Sequence, residues 1–235
     1  MRELYARALG MFPSLPWTGR ILGVFATDTL DTLALFLSDD WLSDNHMHYI
    51  LENYSREIFD SNPRSTIHLE GSFIKLLEKA QAAQRAHSGS VVETEDRWLR
   101  NLGEELSSGI SDCLGFVINL DNTHWVACVL DFRAAEILYG DSFQQPIRRA
   151  HRDVLLWWTK LHCPELEGEF AVKPLPITFQ TDSFSCGVLA SNALASFCSG
   201  GRIPLLSGDG LTSMRLNTFL ELATRHNDMV SSTSH

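Results

Sequence analysis

Four residues carry most of the chemistry this chain could do. Cys186 stands in Gln180-Thr-Asp-Ser-Phe-Ser-Cys-Gly-Val-Leu-Ala-Ser-Asn-Ala-Leu, after a polar loop and at the start of a run of small and apolar residues. A sulfur in the first turn of a helix lies near unpaired backbone N–H groups and the positive end of the helix dipole. Both favour the thiolate, the form that acts as a nucleophile. Gly187 beside it removes a side chain that would hold a substrate backbone away. The competing reading is a buried structural cysteine that happens to open a helix, and the local signal does not separate the two.

His124 begins an apolar run immediately before Trp125. A general base for Cys186 is most naturally such a histidine, oriented by a third group. Asp141 ends the next apolar run, seventeen positions on. Adjacent antiparallel strands bring the end of one near the start of the other, so this carboxylate can fix the imidazole tautomer and stabilise imidazolium. Taken alone, Asp141-Ser142 reads as a strand-ending turn. Gln180, six positions before Cys186, offers a side-chain amide that can donate to a developing oxyanion together with the Cys186 N–H. Such a donor is worth about 10²- to 10³-fold in rate. Alone it says little, and the weight lies in the combination.

These residues need elements to hold them. Leu114 to Leu120, His124 to Asp131 and Glu136 to Asp141 read as successive strands of a meander, separated by short polar links. The middle one is apolar on both alternating faces, as a central strand covered on both sides would be. Helical spacing of Met47, Ile50, Leu51, Tyr54 and Ile58 predicts a helix after Trp41-Leu42, with Ser43 or Asp44 capping its first turn. Further helices are predicted over 71–86, 93–106, 147–162, 186–198 and 214–226. Phe170 to Phe179 reads as extended, and Pro174 and Pro176 limit its ladder to an edge or an irregular part. Helices, then strands, then helices make an α+β chain rather than alternating βαβ units.

The 235 residues, 44% hydrophobic, supply a sizeable core and set the expectation of one globular domain over 1–235. A formal net charge of -10 argues against binding a phosphate backbone, so no nucleic-acid partner is expected. No apolar run approaches the roughly 18 to 20 residues of a bilayer span, and Met1-Arg2-Glu3-Leu4 lacks the apolar core of a secretory signal. An intracellular protein with no membrane partner is expected. Cys113, Cys128, Cys163, Cys186 and Cys198 are odd in number and scattered, with no Cys-x-x-Cys pair. That disfavours a disulfide framework or a compact zinc site and suits a reducing compartment. His46 and His48, two apart on a helix, point to different faces and make a poor metal pair. His162 reads as a solvated histidine at a helix end, and Trp157-Trp158 as an anchor with one ring left over for a partner. The other four cysteines read as small hydrophobes, and residues 227–235 as a frayed tail.

His124-Trp125, Asp141-Ser142, Gln180 and Cys186-Gly187, in this order and spacing, resemble the signature of the Ulp/SENP-type cysteine proteases. Upstream, Phe25-Ala-Thr-Asp-Thr-Leu-Asp-Thr-Leu to Asp40-Trp41-Leu42-Ser43-Asp44 is similar to that family's Trp-Leu-x-Asp segment and the helix after it. The likeness runs over about 20–200. It implies a papain-like (adenain/Ulp-type) fold, with a central mixed or antiparallel sheet flanked by helices. It implies a thiol protease that cleaves after the C-terminal Gly-Gly of a ubiquitin-like modifier, SUMO first, a Nedd-type modifier or ubiquitin second, in maturation or deconjugation. In that reading Cys186 attacks, His124 is base and then acid, Asp141 orients His124, and Gln180 with the Cys186 N–H holds the oxyanion. Trp41 and Trp125 flank a narrow tunnel for the diglycine tail, and Asp44 contacts the substrate. No metal or cofactor, a monomer, and a nuclear or cytoplasmic location follow from the same resemblance. Two departures stand out: Ser185 where the family commonly has Asp, and the stretch 61–112, long enough to be an atypical helical insertion. An acetyltransferase using the same triad and a catalytically silent ubiquitin-like-binding module are the alternatives.

Overall fold

A computed structural model describes residues 1–24, 28–86, 97–166, 168–208 and 210–233. The helices are α1 (Arg2–Met11), α2 (Asp44–Ser61), α3 (Phe73–Ala86), α4 (Arg97–Ser107), α5 (Arg149–His162), α6 (Cys186–Cys198) and α7 (Gly210–Thr233), and a 3-10 helix covers Leu30–Leu37. The strands are β1 (Ser65–Ile67), β2 (Cys113–Leu120), β3 (His124–Asp131), β4 (Glu136–Gly140) and β5 (Ala171–Pro174). They form one mixed sheet in the order β1-β2-β3-β4-β5, with β2, β3 and β4 antiparallel and the two outer strands parallel to their neighbours.

The expected meander is therefore the centre of the sheet, and β3 is covered on both faces. Its side chains alternate: Trp125, Ala127 and Val129 join one buried cluster with α2, α6 and α7, while Val126, Cys128 and Leu130 join another with α3, α4 and α5. This is the period of two that any strand imposes. The second cluster is rich in rings, with Phe73 set against Phe116 at 4.6 Å and edge-on to Trp158 at 5.7 Å.

Several expectations shift. The stretch 61–112 contributes β1 to the sheet and packs α3 and α4 over its second face. Residues 93–96 of the helix expected there, and Phe25 to Thr27 of the Trp-Leu-x-Asp approach, lie outside the described residues. The last helix continues to Thr233, so 227–233 are helical where a frayed tail was expected. α1 and β1 were not expected. Phe170 to Phe179 supplies only the four-residue edge strand β5, ending at Pro174. His162 is packed rather than solvated: its ring lies edge-on to Trp158 at 4.9 Å, and a Cβ on Gly103 would meet it. Trp157 donates from Nε1 to Gln84 Oε1 at 2.7 Å while Trp158 is fully buried. Cys113, Cys128 and Cys198 are buried and Cys163 half-buried. Among the described residues no helix is long and apolar enough to cross a membrane.

Candidate active site

The sheet register brings His124 and Asp141 together. β2 turns into β3 through Asp121 and Asn122, both at positive φ (54° and 57°), and His124 is the first residue of the new strand. On the other side Ala127 pairs with Gly140. Asp141 leaves β4 directly after that pair, and the same register carried three residues further sets position 143 opposite 124. Asp141 Oδ1 accepts the His124 Nε2–H at 2.8 Å and the Phe143 N–H at 2.7 Å. The Phe143 ring stacks on the imidazole at 4.8 Å and 28°. Phe143 was not among the expected residues, although the pairing of β3 with β4 places it.

With Nε2 bound to a carboxylate that can only accept, the ring carries its proton there and presents Nδ1 to Cys186. Nδ1 is buried and has no complete hydrogen bond, yet the thiol is close enough to act on the ring. Burial pulls the His124 pKa down, but the bond to Asp141 and the interaction with Cys186 outweigh it and push it up to about 9. The thiol therefore acts on the ring electrostatically, and Nδ1 completes no hydrogen bond to it. Cys186 is the first residue of α6 and is buried, as Ser185 before it is.

Gln180 lies between these two groups. Its backbone N–H donates to the Ser142 carbonyl at 3.0 Å, its Oε1 accepts from Ser142 Oγ at 2.9 Å, and its Nε2 donates to the Asp182 carbonyl at 2.8 Å. His124, Asp141, Gln180 and Cys186 thus form one connected group, with Ser142 and Asp182 as members that had not been singled out.

The indoles also meet. Trp41 and Trp125 are stacked, with ring centroids 5.7 Å apart and planes 14° from parallel. Two rings gripping a strip of backbone need about 7 Å between them, one van der Waals contact on each side. The expected tunnel is closed here: the rings face each other with nothing between. Trp125 is fully buried and pinned by its Nε1–H to the Leu42 carbonyl at 2.8 Å. Trp41 is only half-buried, and its Nε1 has no partner. Asp44 is exposed in the first turn of α2. A Cβ on Gly71 would lie 2.8 Å from Trp125 Cζ3 and 3.1 Å from Asp44 Oδ1, so only glycine lets this loop lie against the indole. Gly187 has the same use: a Cβ there would come within 2.6 Å of Met47 Sδ and 3.3 Å of Trp125 Cδ1. Its bareness lets α6 approach α2 and β3, rather than opening a path for substrate.

The segment carrying Trp41 is tied down from below. Arg215, buried on α7, donates from Nη2 to the carbonyls of Leu35 (2.7 Å) and Asp40 (2.9 Å), and its Cζ lies 6.0 Å from the Phe184 ring centroid. Ser43 sits at the N-cap of α2, but its Oγ donates to His46 Nδ1 at 2.7 Å instead of accepting a backbone N–H, while His46 Nε2 donates to the Thr32 carbonyl at 2.7 Å. The expected capping contact is thereby replaced by a bridge to the 3-10 helix. Among the described residues no cluster of three or more His, Cys, Asp or Glu could hold a metal ion.

Residues 40–204 match the Ulp1 protease family, C-terminal catalytic domain. No curated protein matches the sequence. Among solved structures, the chain is similar to the SUMO protease Ulp1 with its catalytic cysteine oxidised to a sulfinic acid, at 18% identity and TM-score 0.69, over 94% of this chain and 95% of that one. It is similar to the C-terminal Ulp1 protease domain in complex with SMT3, the yeast ortholog of SUMO, at 17% identity and TM-score 0.69, over 94% and 96%. The Chaetomium thermophilum Ulp1-like SUMO protease catalytic domain gives 16% identity and TM-score 0.65, over 95% and 89%.

Proposed function

This chain belongs to the Ulp1 family of cysteine proteases, and we propose that it cleaves after the C-terminal Gly-Gly of a ubiquitin-like modifier, SUMO first. The observation that carries the reading is the His124 ring, bonded through Nε2 to Asp141 and set against Cys186 on its other side. Cys186 gives its proton to His124 Nδ1, and its Sγ attacks the carbonyl of the terminal glycine. The oxygen becomes negative and takes hydrogen bonds from the Cys186 N–H and a Gln180 N–H. His124, held as imidazolium by Asp141, gives its proton to the departing amine as the C–N bond breaks, leaving a thioester on Cys186. The same ring then takes a proton from water, which attacks the thioester and frees the modifier's carboxylate. Protein groups and water suffice for each step.

Diglycine specificity follows from the indoles. Only a chain without side chains is thin enough to pass between two flat rings, and Trp41 is the one free to lift, since Trp125 is buried and bonded. In this reading Asp44, exposed in the first turn of α2, contacts a basic group on the modifier. SUMO stands first because solved relatives of this fold are SUMO proteases, one of them in complex with SMT3. The test is incubation with C-terminally extended SUMO, Nedd-type modifier and ubiquitin, followed by intact mass. A product ending in Gly-Gly from SUMO supports the reading. Cleavage of another modifier alone moves the specificity, and no cleavage of any removes the substrate class.

A further inference from the structure

Besides His124, a second polar connection runs between Asp141 and Cys186. It begins at Ser142, buried beside Asp141, whose Oγ donates to Gln180 Oε1 at 2.9 Å. Gln180 Nε2 donates to the Asp182 carbonyl at 2.8 Å and has Asp182 Oδ1 at 3.2 Å. Asp182 Oδ1 in turn accepts the N–H groups of Phe184 (2.9 Å) and Ser185 (2.8 Å), and Oδ2 accepts Ser185 Oγ at 2.7 Å. Ser185 is bonded covalently to the nucleophile. With Cys186, His124 and Asp141 the path closes into a ring.

The two ends of a glutamine amide have nearly the same shape and opposite hydrogen-bonding character, so an untethered one can turn over. Here Asp182 admits only the donor end, while the Ser142 hydroxyl, able to donate or accept, donates to the other. The buried Ser142 hydroxyl needs an acceptor and finds Oε1. Asp182 offers only oxygens to Nε2. Burial works to raise the Asp182 carboxyl pKa, but its bonds to Ser185, Phe184 and Gln180 hold it below its ordinary value, so the group stays charged and purely accepting. Both contacts of Nε2 go to Asp182. The contact to the backbone oxygen is the shorter, at 2.8 Å against 3.2 Å for Oδ1.

We propose that Ser142 and Asp182 are positioning residues for Gln180, together setting which end of its amide is Nε2, so that an N–H donor and not Oε1 serves the oxyanion formed at Cys186. The proposal rests on the oxyanion role given to Gln180 above. Neither residue touches substrate. Both act by removing the wrong orientation of a group that does.

The experiment measures acyl transfer with two substrates: an extended Gly-Gly modifier, and p-nitrophenyl acetate, which forms the same oxyanion on Cys186 without needing a modifier. Ser142→Ala and Asp182→Ala are expected to lower kcat roughly 5- to 50-fold with KM within about twofold, as for loss of part of an oxyanion donor. Asp182→Asn, which keeps an oxygen for the Phe184 and Ser185 N–H groups, retains most of the rate. In a Gln180→Ala background either change costs less than about twofold, because residues acting through one partner are not additive. Alkylation of Cys186 by iodoacetamide, which forms no oxyanion, stays within about threefold of wild type in Ser142→Ala. Full additivity with Gln180→Ala, alkylation falling in step with kcat, or unchanged kcat in both single variants would each overturn the proposal. If the wild type hydrolyses the ester through Cys186 but cleaves no modifier, the substrate reading fails while the positioning test proceeds on the ester.

Discussion

The two sides of this site are built by different means. On the side to which catalysis is assigned, each proposed reacting group sits where a buried element begins or ends: His124 at the start of β3, Asp141 just past β4, Cys186 at the first residue of α6. On the access side, Trp41 rides on the link between the 3-10 helix and α2 and Asp44 opens α2, held by the side chains of Arg215 and His46 reaching to backbone carbonyls. Strand register and a packed helix fix positions to a fraction of an ångström, which bond-making requires. Side-chain tethers leave a hinge, which two stacked rings need if a peptide is to pass between them. The comparison predicts that damage on the first side appears in kcat and damage on the second in KM.

The largest expected effect is from Cys186→Ala: turnover falls by more than about 10⁴-fold, while isothermal titration with a modifier ending in Gly-Gly still detects binding, since the indole contacts remain. Loss of binding together with turnover would erase the division between the sides. Next comes Asp141→Asn, expected to lower kcat by about 10²- to 10⁴-fold by favouring the wrong imidazole tautomer. It also carries a pH signature. The folded protein raises the His124 pKa to about 9, so the proton needed by the leaving amine is lost, and kcat/KM declines, as pH rises through about 9. In Asp141→Asn this alkaline limb moves to lower pH, because the carboxylate that favours imidazolium is gone. The same shift bears on stability: the charged ring stabilises the fold fully below its ordinary value near 6.5, and that contribution fades as pH rises through about 9. A melting temperature flat between pH 7 and pH 10 in wild type relative to Asp141→Asn would contradict it.

On the access side, Trp41→Ala is expected to raise KM about tenfold with kcat changed less than about threefold, by removal of one face of the clamp. A dominant loss in kcat would place Trp41 with the catalytic groups. The smallest effect on activity belongs to Arg215→Met. It removes the bonds to the Leu35 and Asp40 carbonyls, of which Leu35 keeps those from Ser38; this costs stability by about 1–3 kcal/mol and raises KM only about twofold to threefold, readable from denaturant unfolding beside steady-state kinetics.

The same division governs what the sequence alone reveals. The meander, its central strand and the helix opening at Cys186 are legible because continuous apolar runs bounded by polar links record burial directly. The pairing of His124 with Asp141 follows from them. Phe143 was recoverable from the register and was missed because aromatic residues in turns carry no periodic signal. Asp182 and Ser142 stood inside the quoted motifs, but their bonds depend on loop backbone geometry that no spacing encodes. The closed state of Trp41 on Trp125 is a matter of side-chain conformation, and the tethers from Arg215 and His46 join positions far apart in the chain. Gly71 and Gly187 look alike in the sequence. Only the packed indole shows what their bareness is for.

The central claim is that the ring of His124, Asp141 and Cys186 performs thiol proteolysis on a diglycine tail. Its most direct test is labelling with SUMO, Nedd-type and ubiquitin probes that each carry a cysteine-reactive electrophile after Gly-Gly, with Cys186→Ala alongside. A covalent adduct with the SUMO probe that disappears in Cys186→Ala is the predicted result. An adduct that persists in Cys186→Ala, or rapid alkylation of Cys186 by iodoacetamide with no adduct from any probe, would contradict it.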